Sequence, residues 1–156
     1  LIANHSSGDN VDTLNNNEVE RIFSSAPFVA DIGLELVSIK TGECRSRLVL
    51  AERHLQQDGF VHFGVQATVA DHTAGAAGAS AVKSGQMVLT SDFSLKLLRS
   101  ASGTHIECVA TVLKAGASLT VVESEVFCGT VGDLRLVSKA TVTLAVVSPR
   151  GAPDRP

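Results

Sequence analysis

The chain contains no tryptophan and no tyrosine, and only six of its 156 residues are phenylalanine. Single-stranded bases usually stack on such rings, so their scarcity argues against that mode of nucleic-acid binding. Charge gives no help either, since thirteen Lys and Arg against sixteen Asp and Glu leave a formal charge of −3. There is no global attraction to nucleic acid or to an anionic membrane surface. Cysteine is sparse as well: Cys44, Cys108 and Cys128 cannot all pair within the chain and show no C-x-x-C spacing. Long apolar runs are missing, because charges interrupt every stretch before the roughly 18 to 20 residues that a bilayer span requires. The N-terminus lacks a basic-then-apolar leader layout. These absences together lead to an expected cytoplasmic setting, with no membrane and no nucleic acid as partner. His54, His62, His72 and Cys44 lack metal-ligand spacing, and no metal is expected.

What is present suits a globular fold. Hydrophobic residues make up 44% and charged residues 19% of the chain, enough for one packed domain at this length. Residues 1–17, rich in Asn, Ser and Asp, read as a mobile lead-in; residues 18–148 as a single domain; and residues 149–156 as a polar tail. Val19, Ile22 and Phe23 fall at helical spacing and predict a short helix over 18–24, interrupted by Pro27. Two strand-like runs, 34–39 and 43–50, flank Lys40, Thr41 and Gly42 and predict a hairpin.

Residues 61–83 read VHFGVQATVADHTAGAAGASAVK. Alanine favours helix over strand, and the apolar positions lie nearly all the way round, which predicts one long helix buried on most sides. Gly75 and Gly78 weaken such a helix, so their expected use is the close approach of another backbone. The period then changes. Met87, Leu89, Phe93, Leu95 and Leu97 alternate with polar residues, and runs over 104–113, 119–127 and 134–147 follow after short Gly-containing links. That pattern predicts an antiparallel meander. The fold class expected is α+β, a curved antiparallel sheet wrapped around one long helix.

Chemistry-bearing residues cluster at the long helix. Gln56, Gln57, Asp58, Gly59 and His62 precede it, and Asp71, His72 and Thr73 lie in its middle. Asp71 has two readings: a carboxylate at a cavity, or one that points to solvent or bonds a neighbouring loop. The amides at the helix N-terminus, those of Phe63 and Gly64, are placed to meet negative charge developing on a carbonyl oxygen. A carboxylate in apolar surroundings activates water or attacks directly, and Asp71 fits either role. His62 and Asp71 lie nine residues apart, about 13.5 Å of helical rise and on opposite sides, so one chain does not bring both to one carbonyl. A two-fold partner with its helix laid antiparallel would do so.

The stretch QQDGFVHFGVQATVADHTAGAA, with LTSDFSLKLLRSASG and VLKAGASLTVVESEVF downstream, resembles the hotdog-fold acyl-CoA thioesterases of the phenylacetate-pathway type. The resemblance spans residues 28–147, and its most specific part is G-x-x-H-x-G followed by Asp nine residues after the His: Gly59, His62, Gly64 and Asp71. It implies an acyl-CoA substrate, no separate cofactor, and a homodimer with composite sites, or a pair of such dimers. It assigns Asp71 as nucleophile or general base. The family's Asn that contacts the thioester or the attacking water is replaced here by Gln56, and the Gly whose amide polarises the carbonyl by Phe63, whose ring then shapes the acyl pocket. Thr90 corresponds to a hydroxyl that helps hold the water, although simple alternation along its strand places it on the polar side. Gln57, His62 and Gly64 are expected at the substrate, His62 chiefly by positioning its loop. Arg99 and Lys114, with Lys96, are either partners of the coenzyme A phosphates or solvated strand ends. Two other functions compete: a hydratase or dehydratase using Asp58 and His62 as an acid–base pair, and a non-catalytic acyl-CoA-binding module.

Overall fold

The computed structural model describes residues 9–148, so the expectations for residues 1–8 and for the tail 149–156 lie outside the described residues. Helix α1 spans Asp9–Ser25 and α2 spans Pro27–Ile32. The first begins nine residues before the expected start at Glu18, inside the segment read as a lead-in. Among its described side chains the buried ones are Val19 and Phe23, one turn apart, a face that ties it to the rest of the fold. Pro27 breaks the helix and starts the next one, because a proline is tolerated in the first turn, where its missing N–H has no intrahelical partner.

Strands β1 (Leu34–Lys40) and β2 (Glu43–Val49) form the expected hairpin. After a 3-10 turn at Glu52–His54 comes the long helix α3 (Phe63–Ser80), then β3 (Met87–Leu97), β4 (His105–Ala115), β5 (Leu119–Thr130) and β6 (Asp133–Val147). All six strands make one antiparallel sheet in the order β1-β2-β4-β5-β6-β3. The meander holds for β4, β5 and β6. It fails for β3, which pairs with β6 at the sheet edge, leaving β4 beside β2. The link between β3 and β4 is a crossing segment and no hairpin turn. Backbone hydrogen bonds pin it: Leu98 N to Val137 O at 2.8 Å, Val61 N to Ala101 O at 2.9 Å, and Thr104 N to Gly129 O at 2.8 Å. Gly103 (φ +147°) passes so close to the Gly129 carbonyl that a Cβ would overlap it.

Small side chains let α3 lie close against the sheet. Val69, Ala70, Ala74 and Ala77 are fully buried, facing a layer that includes Leu48, Ile106, Val122, Val126 and Val142. At Gly78 the approach comes from a side chain and not from the expected backbone, since a Cβ there would overlap Leu144 Cδ1. Gly75 meets nothing within 4 Å and faces open space. Some polar atoms in this layer are matched, while the buried Thr120 Oγ1 and Ser138 Oγ have no hydrogen-bond partner among the described residues. Thr73 Oγ1 donates to Val69 O at 2.6 Å, so Ser46 Oγ is the donor in the 2.6 Å bond between the two hydroxyls, and Ser124 Oγ donates to Ala70 O at 2.9 Å. The three cysteines are free and buried. Burial pushes the Cys44 and Cys108 thiols up to about 12, so both pack as small apolar groups without nucleophilic character.

Candidate active site

The loop before α3 is held by histidines. His54 is buried; its Nδ1 accepts from Ala51 N–H at 2.9 Å, so Nε2 carries the proton and donates to Ile32 O at 2.8 Å. The His54 carbonyl accepts from His62 N–H at 2.9 Å. Inside this frame Gln56 N bonds Phe60 O at 2.8 Å, and Gly59 (φ +79°) turns the chain back toward Val61. His62 is the N-cap of α3, with Nδ1 accepting from Gly64 N–H at 2.9 Å. That agrees with a positioning role for His62 and corrects one expectation: the Gly64 amide is committed to its own cap. The Phe63 N–H has no hydrogen-bond partner among the described residues.

A cavity of about 350 Å³ opens at this helix end, lined by Gln56, Phe60, Phe63, Gln66, Leu97 and Arg99 among others. Gln66 was not singled out in the sequence. It is 3% exposed, its Nε2 reaches Val61 O at 3.4 Å, and its Oε1 has no partner. The signal available was a glutamine on the buried face of a helix otherwise built from Ala and Val. Gln57 and Asp58 are exposed loop residues that do not line this cavity, and no hydrogen bond or ion pair joins Asp58 to His62 among the described residues. Lys114 lies near the far end of β4 and lines neither cavity described here.

Asp71 lies two turns along α3, half-buried, and Thr90 Oγ1 donates to its Oδ1 at 2.9 Å. Simple alternation would turn Thr90 away from the helix. The β3–β6 register breaks between Thr90 and Asp92, where Thr90 faces Leu144 and Asp92 faces Thr143. The extra residue, Ser91, is a bulge that reverses the parity of the strand. Val88 and Thr90 therefore share a face with Phe93 and Leu95, all opposite inward-pointing residues of β6. Asp71 and Thr90 line a cavity of about 500 Å³ whose walls are α1, α3 and β3. His72 lines it too, with Nε2 donating to Phe23 O at 3.2 Å and its ring 4.4 Å from that of Phe23. Burial is the larger influence on His72 and lowers its pKa, opposed by the Phe23 carbonyl and the Asp71 charge.

The two cavities share no lining residue. Phe63 and Asp71 are eight residues apart on one straight helix, about 12 Å of rise. Gln56, Phe63 and Arg99 are thus gathered at one place, and Asp71 and Thr90 at another. Among the described residues no group of three or more His, Cys, Asp or Glu is arranged to hold a metal ion, and no helix is long and apolar enough to cross a membrane.

Comparison with known proteins bears on what this arrangement does. Residues 58–134 match the model of the thioesterase superfamily. A 1,4-dihydroxy-2-naphthoyl-CoA hydrolase of Listeria monocytogenes is 26% identical over 113 residues, 72% of this chain and 91% of that protein. A thioesterase family protein of Silicibacter pomeroyi superposes with a TM-score of 0.82 at 28% identity, covering 85% of this chain and 98% of that one. The conserved protein PA5202 of Pseudomonas aeruginosa is 30% identical, with a TM-score of 0.74 over 81% of this chain and 98% of its own. With a six-stranded antiparallel sheet packed on one long helix and the expected motif at that helix, the chain belongs to the thioesterase superfamily and has its hotdog fold.

Proposed function

We propose that the protein hydrolyses an acyl-CoA thioester to free coenzyme A and a carboxylic acid, with Asp71 as the reacting carboxylate. The observation that carries this reading is the Asp71–Thr90 pair at the mouth of a largely apolar cavity. The 26% identical relative being named as a CoA hydrolase supports the substrate class. In the hydrolysis, water gains a bond to the carbonyl carbon while Asp71 takes one of its protons, or Asp71 attacks first and water opens the resulting anhydride. Negative charge gathers on the carbonyl oxygen, where the unpaired Phe63 N–H and the dipole of an 18-residue helix favour it. On the first route collapse breaks the C–S bond and the thiolate leaves with the proton that Asp71 holds; on the second the C–S bond breaks as the anhydride forms, and the water that opens it supplies the proton. No cofactor enters this scheme.

The separation of the two half-sites calls for a second copy of the chain. β3 is a free sheet edge with Met87, Leu89 and Leu97 exposed beside it, and edge strands left open invite pairing. In the dimer we envisage, Asp71 and Thr90 of one subunit meet Gln56 and Phe63 of the other, giving two composite sites. Arg99 lines the Gln56 cavity, which suits a coenzyme A phosphate. A cytoplasmic setting, where acyl-CoA and a reducing milieu coexist, accords with three free thiols. The test is thiol release from a panel of aromatic, short and medium-chain acyl-CoAs. Release that Asp71→Ala abolishes while circular dichroism shows an intact fold supports the proposal, whereas binding without release points to a non-catalytic acyl-CoA module.

A further inference from the structure

The outer wall of the Asp71 cavity is α1, which contributes Val19, Ile22 and Phe23. Thioester chemistry at Asp71 makes no use of this wall. Val19 and Phe23 are 4% and 2% exposed and anchor the helix, while Ile22, on the same stretch, is 50% exposed. The hydrogen bond from His72 Nε2 to Phe23 O fixes the height of α1 above α3 just where α3 carries Asp71. Ile22 lines the same cavity, on the turn of α1 that the Phe23 carbonyl ties to His72.

The floor runs the other way. From Asp71 it passes Gly75 and Ala76 to Ala79, eight residues and about 12 Å of helical rise. β3 runs beside it from Thr90 to Met87, roughly 10 Å of extended chain. Beyond Asp71 and His72 the α3 residues that line the floor are Gly or Ala, and at Gly75 there is open space. The result is an elongated trough of about 500 Å³, reacting carboxylate at one end and Ala79 with Met87 at the other. Its ionisable lining groups are Glu18, Asp71 and His72. Two carboxylates among these three disfavour an acyl group that ends in a carboxylate of its own.

We infer that this trough receives the acyl group of the thioester, that the preferred substrate carries an elongated, uncharged, apolar acyl chain of medium length, and that Ala79 limits its length and Ile22 of α1 its width. This rests on the proposed hydrolase function for its choice of ligand, and binding measurements test it without requiring turnover.

The experiment compares two non-hydrolysable thioethers, S-octyl-CoA and S-ethyl-CoA, by titration calorimetry on the full chain. The wild-type protein is expected to bind the octyl compound more tightly. Ala79→Leu puts a branched chain across the far end of the trough, and the octyl-to-ethyl preference is expected to fall about tenfold. Ile22→Ala is expected to shift thiol release toward acyl groups branched or cyclic near the carbonyl. Circular dichroism and the solution mass, unchanged in both variants, separate these effects from misfolding or altered assembly. Equal binding of the two thioethers by the wild type overturns the inference, as does an Ala79→Leu variant that folds and retains the full preference. Clear octyl preference in a protein that releases no thiol from any acyl-CoA leaves the trough assignment standing and overturns hydrolysis instead.

Discussion

Thr90 Oγ1 donates to Asp71 Oδ1 at 2.9 Å, and the two residues meet because β3 bulges at Ser91. The hydroxyl holds the carboxylate in one orientation at the cavity mouth. Thr90→Val keeps the β-branched shape and removes the hydrogen bond. A reacting group misplaced by about 1 Å can lose about a hundredfold in rate, so turnover is expected to fall roughly ten- to a hundredfold, while loss of this exposed hydrogen bond lowers stability by about 1 kcal/mol. Steady-state kinetics on the variant check this, and an undiminished kcat would remove Thr90 from the site.

Phe63 tests the amide at the helix end. His62 has φ −60° and ψ 140°, a conformation that a following proline accepts, and the first position of a helix is where proline is tolerated. Phe63→Pro should therefore keep α3 while deleting the unpaired N–H. Loss of one such donor costs about a hundred- to a thousandfold in turnover. Phe63→Gly keeps the N–H and is expected to keep catalysis, changing acyl preference only if the ring borders the bound acyl group. Far-UV circular dichroism beside the kinetics shows whether the proline variant retains its helix.

His72 gives a pH signature. Its folded pKa is lowered by burial, so below the ordinary value of 6.5 the unfolded chain binds the proton more readily than the folded one. The stability from a neutral His72 is complete above that pH and is lost as pH falls through 6.5 toward the depressed folded value. Thermal midpoints measured between pH 7.5 and 5 should decline, and the decline should flatten in His72→Gln, which takes up no proton in this range. Equal slopes in the two proteins would assign the acid sensitivity to other groups.

Gly78 should tolerate no side chain while Leu144 stays in place, because an added methyl overlaps Leu144 Cδ1. Gly78→Ala gains helix propensity of about 1 kcal/mol, but overpacking a rigid core costs typically 1–3 kcal/mol. A net loss of stability is expected by chemical denaturation. Leu144→Ala, destabilising alone because Leu144 is fully buried, should be partly rescued by Gly78→Ala. Strict additivity in that cycle would show that the two sites do not touch.

The sequence spoke most clearly where local pattern and tertiary role coincide. Alanine density between Gly59 and Gly85 marked α3 within a few residues, alternation marked the strands after it, and two strand-like runs around Lys40, Thr41 and Gly42 marked the hairpin before it. It was silent where a long-range choice decides. Nothing in residues 98–104 states that β3 crosses to pair with β6; that follows from backbone bonds to Val137, Val61 and Gly129. The bulge at Ser91 has no glycine to announce it, so Thr90 was read as facing away from the helix although its motif position implied a site role. The Gly64 amide looked free because a histidine cap is indistinguishable in sequence from a histidine at a site. α1 begins earlier than expected because polar Asn-rich sequence carries little helical periodicity of its own, while the helix as a whole packs against α3 and β1.

The central claim is that one thioester is served by two subunits, Gln56 and Phe63 from one and Asp71 and Thr90 from the other. Its direct test mixes Gln56→Ala and Asp71→Ala chains, each nearly inactive alone, unfolds them together and refolds them. A mixed dimer then holds one site with both residues intact and one with neither. Random pairing makes half the dimers mixed, each with one working site of two, so the account predicts recovery of about a quarter of wild-type thiol release. Verified mixed dimers no more active than their parents would contradict it.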